Sequence, residues 1–422
     1  MPPKLGIIAD DFTGALLIAS ELEAAGRHAP VFLAAAAIPA RAAGDAIILG
    51  TRLRVAPPDE ARAALTAAIA ALSHAGCPRI AYKACASFDS TETGNIGLAA
   101  EMLSDHHGGV PVLMSAGYPK FDCTVHQGHL FYRARLVSES VKRLDPLTPM
   151  HDPDLVRFLS HQTASPVRLL PHRALVQGME PARAAWQALL AQGARHVLAD
   201  TSDDRDAEIT AELAVAGETV LVASDPAIIA LALALSDAGA AEARPAPAPQ
   251  GMGAALVGSV GPTASAQVAA FAAHHPMILV DLLAPGSAAE VAAQALARAK
   301  GHEGPVGFAT TTDAEGVQRC QEALGQTGAA RRAEDILAAL AVALRDAGVR
   351  RLVVSGGETS GAVVSALGIT RLRALPAGPL GAGFCQAESP VQMSLFLKSG
   401  KLGSDDVLLR ALDEMQAGSP TA

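Results

Sequence analysis

Two aspartates stand side by side at residues 10 and 11, directly after the apolar run Leu5 to Ala9 and just before Thr13 and Gly14. The run reads as a buried strand, and the alanine- and leucine-rich segment that follows reads as a helix. The pair is therefore delivered to a strand's carboxyl end, where ligands collect in open α/β sheets. Like charges this close repel each other and are costly to take out of water. A helix cap accounts for one carboxylate, through its hydrogen bond to first-turn N–H groups and the helix dipole. It accounts less well for two, which favours a functional pair.

Further stretches could carry chemistry. In "IAYKACASFDSTETGNIG" a strand ends at Lys83, and Ser87, Asp89, Ser90 and Thr91 follow before another helix entry. The Lys83 ammonium could pair with Asp89 or bind a carboxylate or phosphate as a point charge; the plainer alternative is an exposed lysine beside a polar turn. Arg52, in "LGTRLR" after the apolar "DAIILG", offers a guanidinium fork suited to a carboxylate. In "RLVVSGGETSGAVVSALG", Gly356 and Gly357 permit close backbone approach, and Thr359 and Ser360 can cap a helix whose N–H groups would cradle phosphates. Neither this turn nor "AALVGSVGPTASAQ" matches the Walker or dinucleotide fingerprint, so an ordinary strand-to-helix turn stays open. "LKSGKLGSDDVL", residues 397–408, reads as another phosphate-facing loop or as the last turn.

The elements that must position these groups are short apolar runs alternating with alanine-rich helical stretches, as in "HVLADTSDDRDAEITAELAVAG". That alternation predicts an α/β chain of two domains, each a mostly parallel sheet covered by helices. Pro245, Pro247 and Pro249 alternate with alanine in "AAEARPAPAPQGMG", a pattern for an extended connector. The expected division is 1–238, a linker at 239–251, and 252–422. With 422 residues, 50% of them hydrophobic, the chain can bury sizeable cores. A net charge of -9, with 33 Lys and Arg spread thinly, argues against a nucleic-acid partner and for a small ligand. Cys77, Cys85, Cys123, Cys320 and Cys385 lack paired spacing, which fits a reducing compartment and a cytoplasmic location. The opening residues lack the basic–apolar–small order of a signal peptide, and "AIIALALALSDAGAA" is broken by Asp237 before it could span a bilayer, so no membrane association is expected.

"IADDFTGA", "YKACASFDSTETGNIG", "TVHQGHLF", "SGGETSGAVVSALGI" and "LKSGKLG" together resemble, in order, the motifs of the four-carbon acid sugar kinases, and "DPLTPMHDPDLVRFL" is most similar to the branch acting on 3-oxo-tetronates. The resemblance implies an N-terminal domain holding the acid sugar, a C-terminal domain holding ATP, an active site in the interdomain cleft, and γ-phosphoryl transfer to the sugar's terminal hydroxyl with Mg2+ as cofactor. It places acid-sugar contacts on Asp10, Asp11, Thr13, Arg52, Lys83, Ser87 and Asp89. It places nucleotide contacts on Ser259, Gly356, Gly357, Glu358, Thr359, Gly400 and Gly403, and leaves the metal ligands unassigned. Asp11 is expected to orient or deprotonate the acceptor hydroxyl, with Asp10 supporting it or the metal. Arg52 and Lys83 are expected to hold the substrate carboxylate. Two segments depart from the family pattern: Phe121, Asp122 and Cys123 replace Asn-Gly-Arg, and "GPLGAGFCQ" lacks a tryptophan. D-threonate or D-erythronate as substrate, a non-catalytic sugar-acid sensor, and a homodimer are the alternatives kept open. His126 and His129 read as turn or cleft residues or surface residues, without a metal-ligand partner set.

Overall fold

The computed structural model describes residues 3–145, 147–236, 249–310 and 314–417. Two compact units emerge, Met1–Ile18 with Ala25–Ala241, and Ala19–Ala24 with Glu242–Ala422. The expected linker at 239–251 lies mostly outside the described residues.

The first unit is built on eight parallel strands: β1 (Leu5–Ala9), β2 (Val31–Phe32), β3 (Ala46–Gly50), β4 (Ile80–Lys83), β5 (Val112–Ser115), then β9 (Val167–Leu170), β10 (His196–Ala199) and β11 (Val220–Ala223). Their order is β2-β3-β1-β4-β11-β5-β10-β9. β1, β3, β4, β5, β10 and β11 are buried along their whole length, as near-continuous apolar runs must be when helices cover both faces of a parallel sheet. A separate antiparallel ribbon, β6 (Cys123–His126), β7 (His129–Tyr132) and β8 (Arg135–Leu136), carries the "TVHQGHLF" stretch.

The second unit orders its strands β13-β14-β12-β15-β18-β17-β16. Here β12 (Met252–Val257), β13 (Met277–Leu279), β14 (Val306–Ala309), β15 (Val349–Ser355) and β18 (Met393–Lys398) are parallel, while β16 (Arg371–Ala374) and β17 (Phe384–Ala387) run antiparallel at one end. Phe271, Phe384 and Phe396 fill its core with small aliphatic side chains. The expected α/β class with mostly parallel sheets is what the chain adopts. All five cysteines are unpaired, and among the described residues no helix is long and apolar enough to cross a membrane.

Candidate functional site

Parallel strands leave their carboxyl ends on one rim, and in the first unit that rim gathers charge. Asp10 follows β1, Lys83 ends β4, and Asp225 follows β11 as the first residue of the helix Asp225–Leu235. β1 and β4 are neighbours, as are β4 and β11, so backbone pairing alone brings the three side chains together. Lys83 is 3% exposed, with Nζ 3.8 Å from Asp10 and 3.5 Å from Asp225. The plainer alternative of an exposed lysine therefore fails, and the ammonium sits with Asp10 and Asp225 rather than with Asp89. Burial pushes the Lys83 ammonium towards neutrality, but Asp225, Asp10 and Asp11 outweigh it and raise its pKa. Burial also raises the Asp225 carboxyl, and Lys83 offsets only part of that.

The aspartate pair divides its work. Asp10 is buried, accepting from Arg54 Nε at 2.8 Å, Arg54 Nη2 at 3.1 Å and the Cys85 N–H at 3.2 Å. Asp11 is part-exposed; its Oδ1 accepts the Gly14 N–H at 2.6 Å, capping the helix Phe12–Ala24, and its Oδ2 accepts from Arg54 Nη2 at 2.6 Å. Burial would raise the Asp11 carboxyl; Arg54, Lys83 and the Gly14 N–H overcome it and hold the pKa below the usual carboxylate value. Capping is thus true of Asp11, and it leaves the carboxylate ionised and partly open to solvent. Gly14 is required here: a Cβ would overlap Lys83 Nζ and lie 2.7 Å from Asp11 Oδ1. Thr13 sits half-buried in the same first helical turn.

Asp89 belongs to an adjoining cluster, in which Ser87 Oγ donates to Oδ1 at 2.7 Å and Lys142 Nζ to Oδ2 at 2.6 Å. Arg52 is exposed, and Arg54, two residues on, makes ion pairs with both aspartates. Arg54, Lys142 and Asp225 escaped the sequence reading. Only Asp225 carried a usable signal, since "TVLVASDP" repeats the pattern of apolar strand, aspartate and helix seen at Asp10.

The "TVHQGHLF" turn is fixed by Asp200, after β10, whose carboxylate accepts from the N–H groups of Gln127 at 2.8 Å, Gly128 at 2.9 Å and His172 at 2.8 Å. His126 is exposed and bonds Ser202, and His129 bonds the Gln127 carbonyl. The one grouping of metal-type ligands among the described residues is His172, Asp203 and Asp206, which includes neither histidine. Of the departing residues, Phe121 and Asp122 are exposed on the turn leading into β6, and Cys123 is buried in that strand.

The glycine-bearing turns of the second unit converge. β15 ends at Ser355, and Gly356 caps the helix Gly357–Ala366 at φ 133°, a left-handed conformation suited to glycine. A Cβ on Gly356 would lie 2.7 Å from Thr359 Oγ1 and 3.2 Å from Ser259 Oγ, and one on Gly400 would overlap Ser259 Oγ. Ser259, Gly356, Thr359 and Gly400 are therefore one cluster. Gly357 and Glu358 are exposed in the first turn of the helix, and a helix N-terminus suits an anion. Gly403, at φ 93°, packs on Val407 in the loop that follows β18.

Comparisons with known proteins bear on both units. Residues 5–233 match the family model described as a sugar-binding N-terminal domain, and 254–408 the one described as a nucleotide-binding C-terminal domain. A 3-oxo-tetronate kinase of Burkholderia multivorans is 38% identical over 97% of this chain and 98% of its own length. That of Pseudomonas fluorescens is 36% identical over 99% and 98%. A solved structure of a Salmonella typhimurium LT2 protein, 30% identical, aligns over 96% of this chain and 98% of that one with a TM-score of 0.83. With both domain models in sequence and full-length relatives at this identity, the chain belongs to the four-carbon acid sugar kinase family, phosphotransferases with an alcohol group as acceptor.

Proposed function

We propose that the protein phosphorylates the terminal hydroxyl of a four-carbon acid sugar with ATP, and that the acceptor is 3-oxo-tetronate, giving 3-oxo-tetronate 4-phosphate. The observation that carries this reading is the carboxylate pair at the end of β1, ion-paired with Arg54 and Lys83. Asp11, half-open to solvent, orients the acceptor hydroxyl and takes its proton late in transfer. Asp10 fixes the two cations beside it. Arg52, Lys83, Ser87, Asp89 and Thr13 bind the acid sugar. Ser259, Gly356, Gly357, Glu358, Thr359, Gly400 and Gly403 bind ATP, and Mg2+ carried on its phosphates would supply positive charge against the charge moved in the reaction. The domains run 1–238 and 252–422, and the enzyme works in the cytoplasm.

The test is coupled ADP release across a panel of tetronates, 3-oxo-tetronates and threonates, with the product's phosphate position read by phosphorus NMR. Fastest turnover on a 3-oxo-tetronate, phosphorylated at its terminal carbon, supports the reading. Fastest turnover on D-threonate or D-erythronate corrects the substrate. Binding of an acid sugar with no ADP release from any of them makes the protein a sensor.

A further inference from the structure

Lys398, the last residue of β18, is 5% exposed. Its Nζ donates to Gln267 Oε1 at 3.0 Å and to Ser355 Oγ at 3.1 Å, both neutral groups. Among the described residues no carboxylate pairs with it. A buried ammonium without a counter-charge is expensive, and proteins normally neutralise it with a partner or let it lose its proton. The contrast within this chain is plain: buried Lys83 sits between two aspartates.

The place of Lys398 in the fold says what the counter-charge could be. Its carbonyl accepts the Gly356 N–H at 2.9 Å, and its side chain reaches the hydroxyl of Ser355, the residue just before Gly356. Two residues further on, Gly400 closes against Ser259. The ammonium therefore underlies the Ser259–Gly356–Thr359–Gly400 cluster, next to the N-terminus of the helix Gly357–Ala366. Gln267, fully buried, turns its Oε1 to Lys398 and its Nε2 to the carbonyls of Leu402, Gly403 and Ser404 at 3.1, 3.3 and 3.2 Å. The positive charge is thus tied to the loop carrying Gly403 as well as to the SGGET turn.

We propose that Lys398 is the phosphate-facing cation of the nucleotide site, its counter-charge being the polyphosphate of the bound nucleotide. The inference rests on the reading that ATP binds at the glycine cluster. Burial lowers the Lys398 pKa to about 8, which leaves the side chain mostly an ammonium at neutral pH, and a phosphate beside it would stabilise that charged form further. A point-charge ammonium suits phosphate oxygens whose geometry changes during transfer.

The experiment is calorimetric titration of the full-length protein and its variants with ATP, ADP and adenosine. Lys398→Met should weaken ATP about ten- to a hundredfold, the worth of one charge-assisted hydrogen bond, weaken ADP less, and leave adenosine within about twofold. Lys401→Met, removing the exposed lysine of the same loop, should leave ATP within about threefold. Lys398→Gln keeps a donor for Gln267 and Ser355 without the charge, and serves if the methionine variant fails to fold; it should show the same loss for ATP alone. A folded variant that binds ATP normally, or that loses ATP and adenosine alike, overturns the proposal. Gly357→Val, which crowds the SGGET turn, separates this from failure of the site itself. If it too binds ATP normally, the nucleotide lies elsewhere and both readings fall. If it abolishes binding while the Lys398 variants do not, only the role of Lys398 falls.

Discussion

Arg54 holds Asp10 at two points, Nε to Oδ2 at 2.8 Å and Nη2 to Oδ1 at 3.1 Å, and extends the same Nη2 to Asp11 Oδ2 at 2.6 Å. One planar fork thus cancels the repulsion that makes adjacent aspartates costly, and fixes the direction in which Asp11 points. Removing it should leave a buried carboxylate short of a partner. Arg54→Ala is expected to destabilise the protein by about 2–3 kcal/mol, below the full cost of breaking a buried pair because Arg54 is 26% exposed. Arg52→Ala, at an exposed position of the same loop, should raise KM for the acid sugar. Denaturant unfolding reads the first of these. An Arg54→Ala variant as stable as the parent would mean that the fork does not hold the aspartate pair.

Asp11 serves as cap, ion-pair partner and proposed base, and one substitution separates these roles. Asparagine caps helices about as well as aspartate, so Asp11→Asn should keep the cap on the Gly14 N–H and lose only the ion pair, at about 1 kcal/mol. Turnover should fall by roughly two to four orders of magnitude, the worth of a positioned base, with a smaller change in acid-sugar affinity. Near-normal kcat in a folded Asp11→Asn variant would reduce Asp11 to a cap, and Asp89 would be the next candidate.

Lys83 and Asp225 give a pH signature. Asp225 already has a raised pKa with the ammonium beside it, and Lys83→Met removes the main influence pulling it down. A carboxyl whose folded pKa exceeds its unfolded value binds more protons when folded, so stability falls as pH climbs from the unfolded value through the folded one. The penalty for Lys83→Met should therefore be smallest at or below about pH 4 and reach about 3–5 kcal/mol near about pH 8. Lys83→Met combined with Asp225→Asn should recover part of the loss and flatten the pH profile. A pH-independent penalty would show that Asp225 does not rely on this ammonium.

The sheets were legible in the sequence because buried parallel strands are written as unbroken apolar runs, and Asp10, Lys83 and the SGGET turn could be placed because each falls where such a run ends. Partner choice was not legible. That Arg54 meets the aspartates depends on the path of a loop, Arg54 N bonding back to the Asp10 carbonyl at 3.3 Å, and residue spacing does not encode that path. The pairing of Asp89 with Lys142 joins residues 53 apart through a segment without regular periodicity. Lys398 looked like a loop lysine because the burial of the last strand residue depends on Gln267 and Ser355, which come from separate elements.

Gly14 gives the sharpest stability prediction, because the local and tertiary effects have opposite signs. Alanine is the better helix former by about 1 kcal/mol in an exposed helix interior, so propensity alone predicts that Gly14→Ala stabilises. The space is already taken: an added Cβ would overlap Lys83 Nζ and lie 2.9 Å from Lys83 Cε and 2.7 Å from Asp11 Oδ1. A free lysine would swing aside at little cost. This one is buried between Asp10 and Asp225, so moving it stretches two ion pairs whose carboxylates cannot turn to water. Gly14→Ala is therefore expected to destabilise by about 1–3 kcal/mol, in the range for overfilling a packed site, and to weaken acid-sugar binding as Lys83 shifts. Thermal unfolding and acid-sugar titration read the two effects. A variant more stable than the parent would mean that Lys83 relaxes freely, and the tight charge cluster at the end of β1 would have to be redrawn.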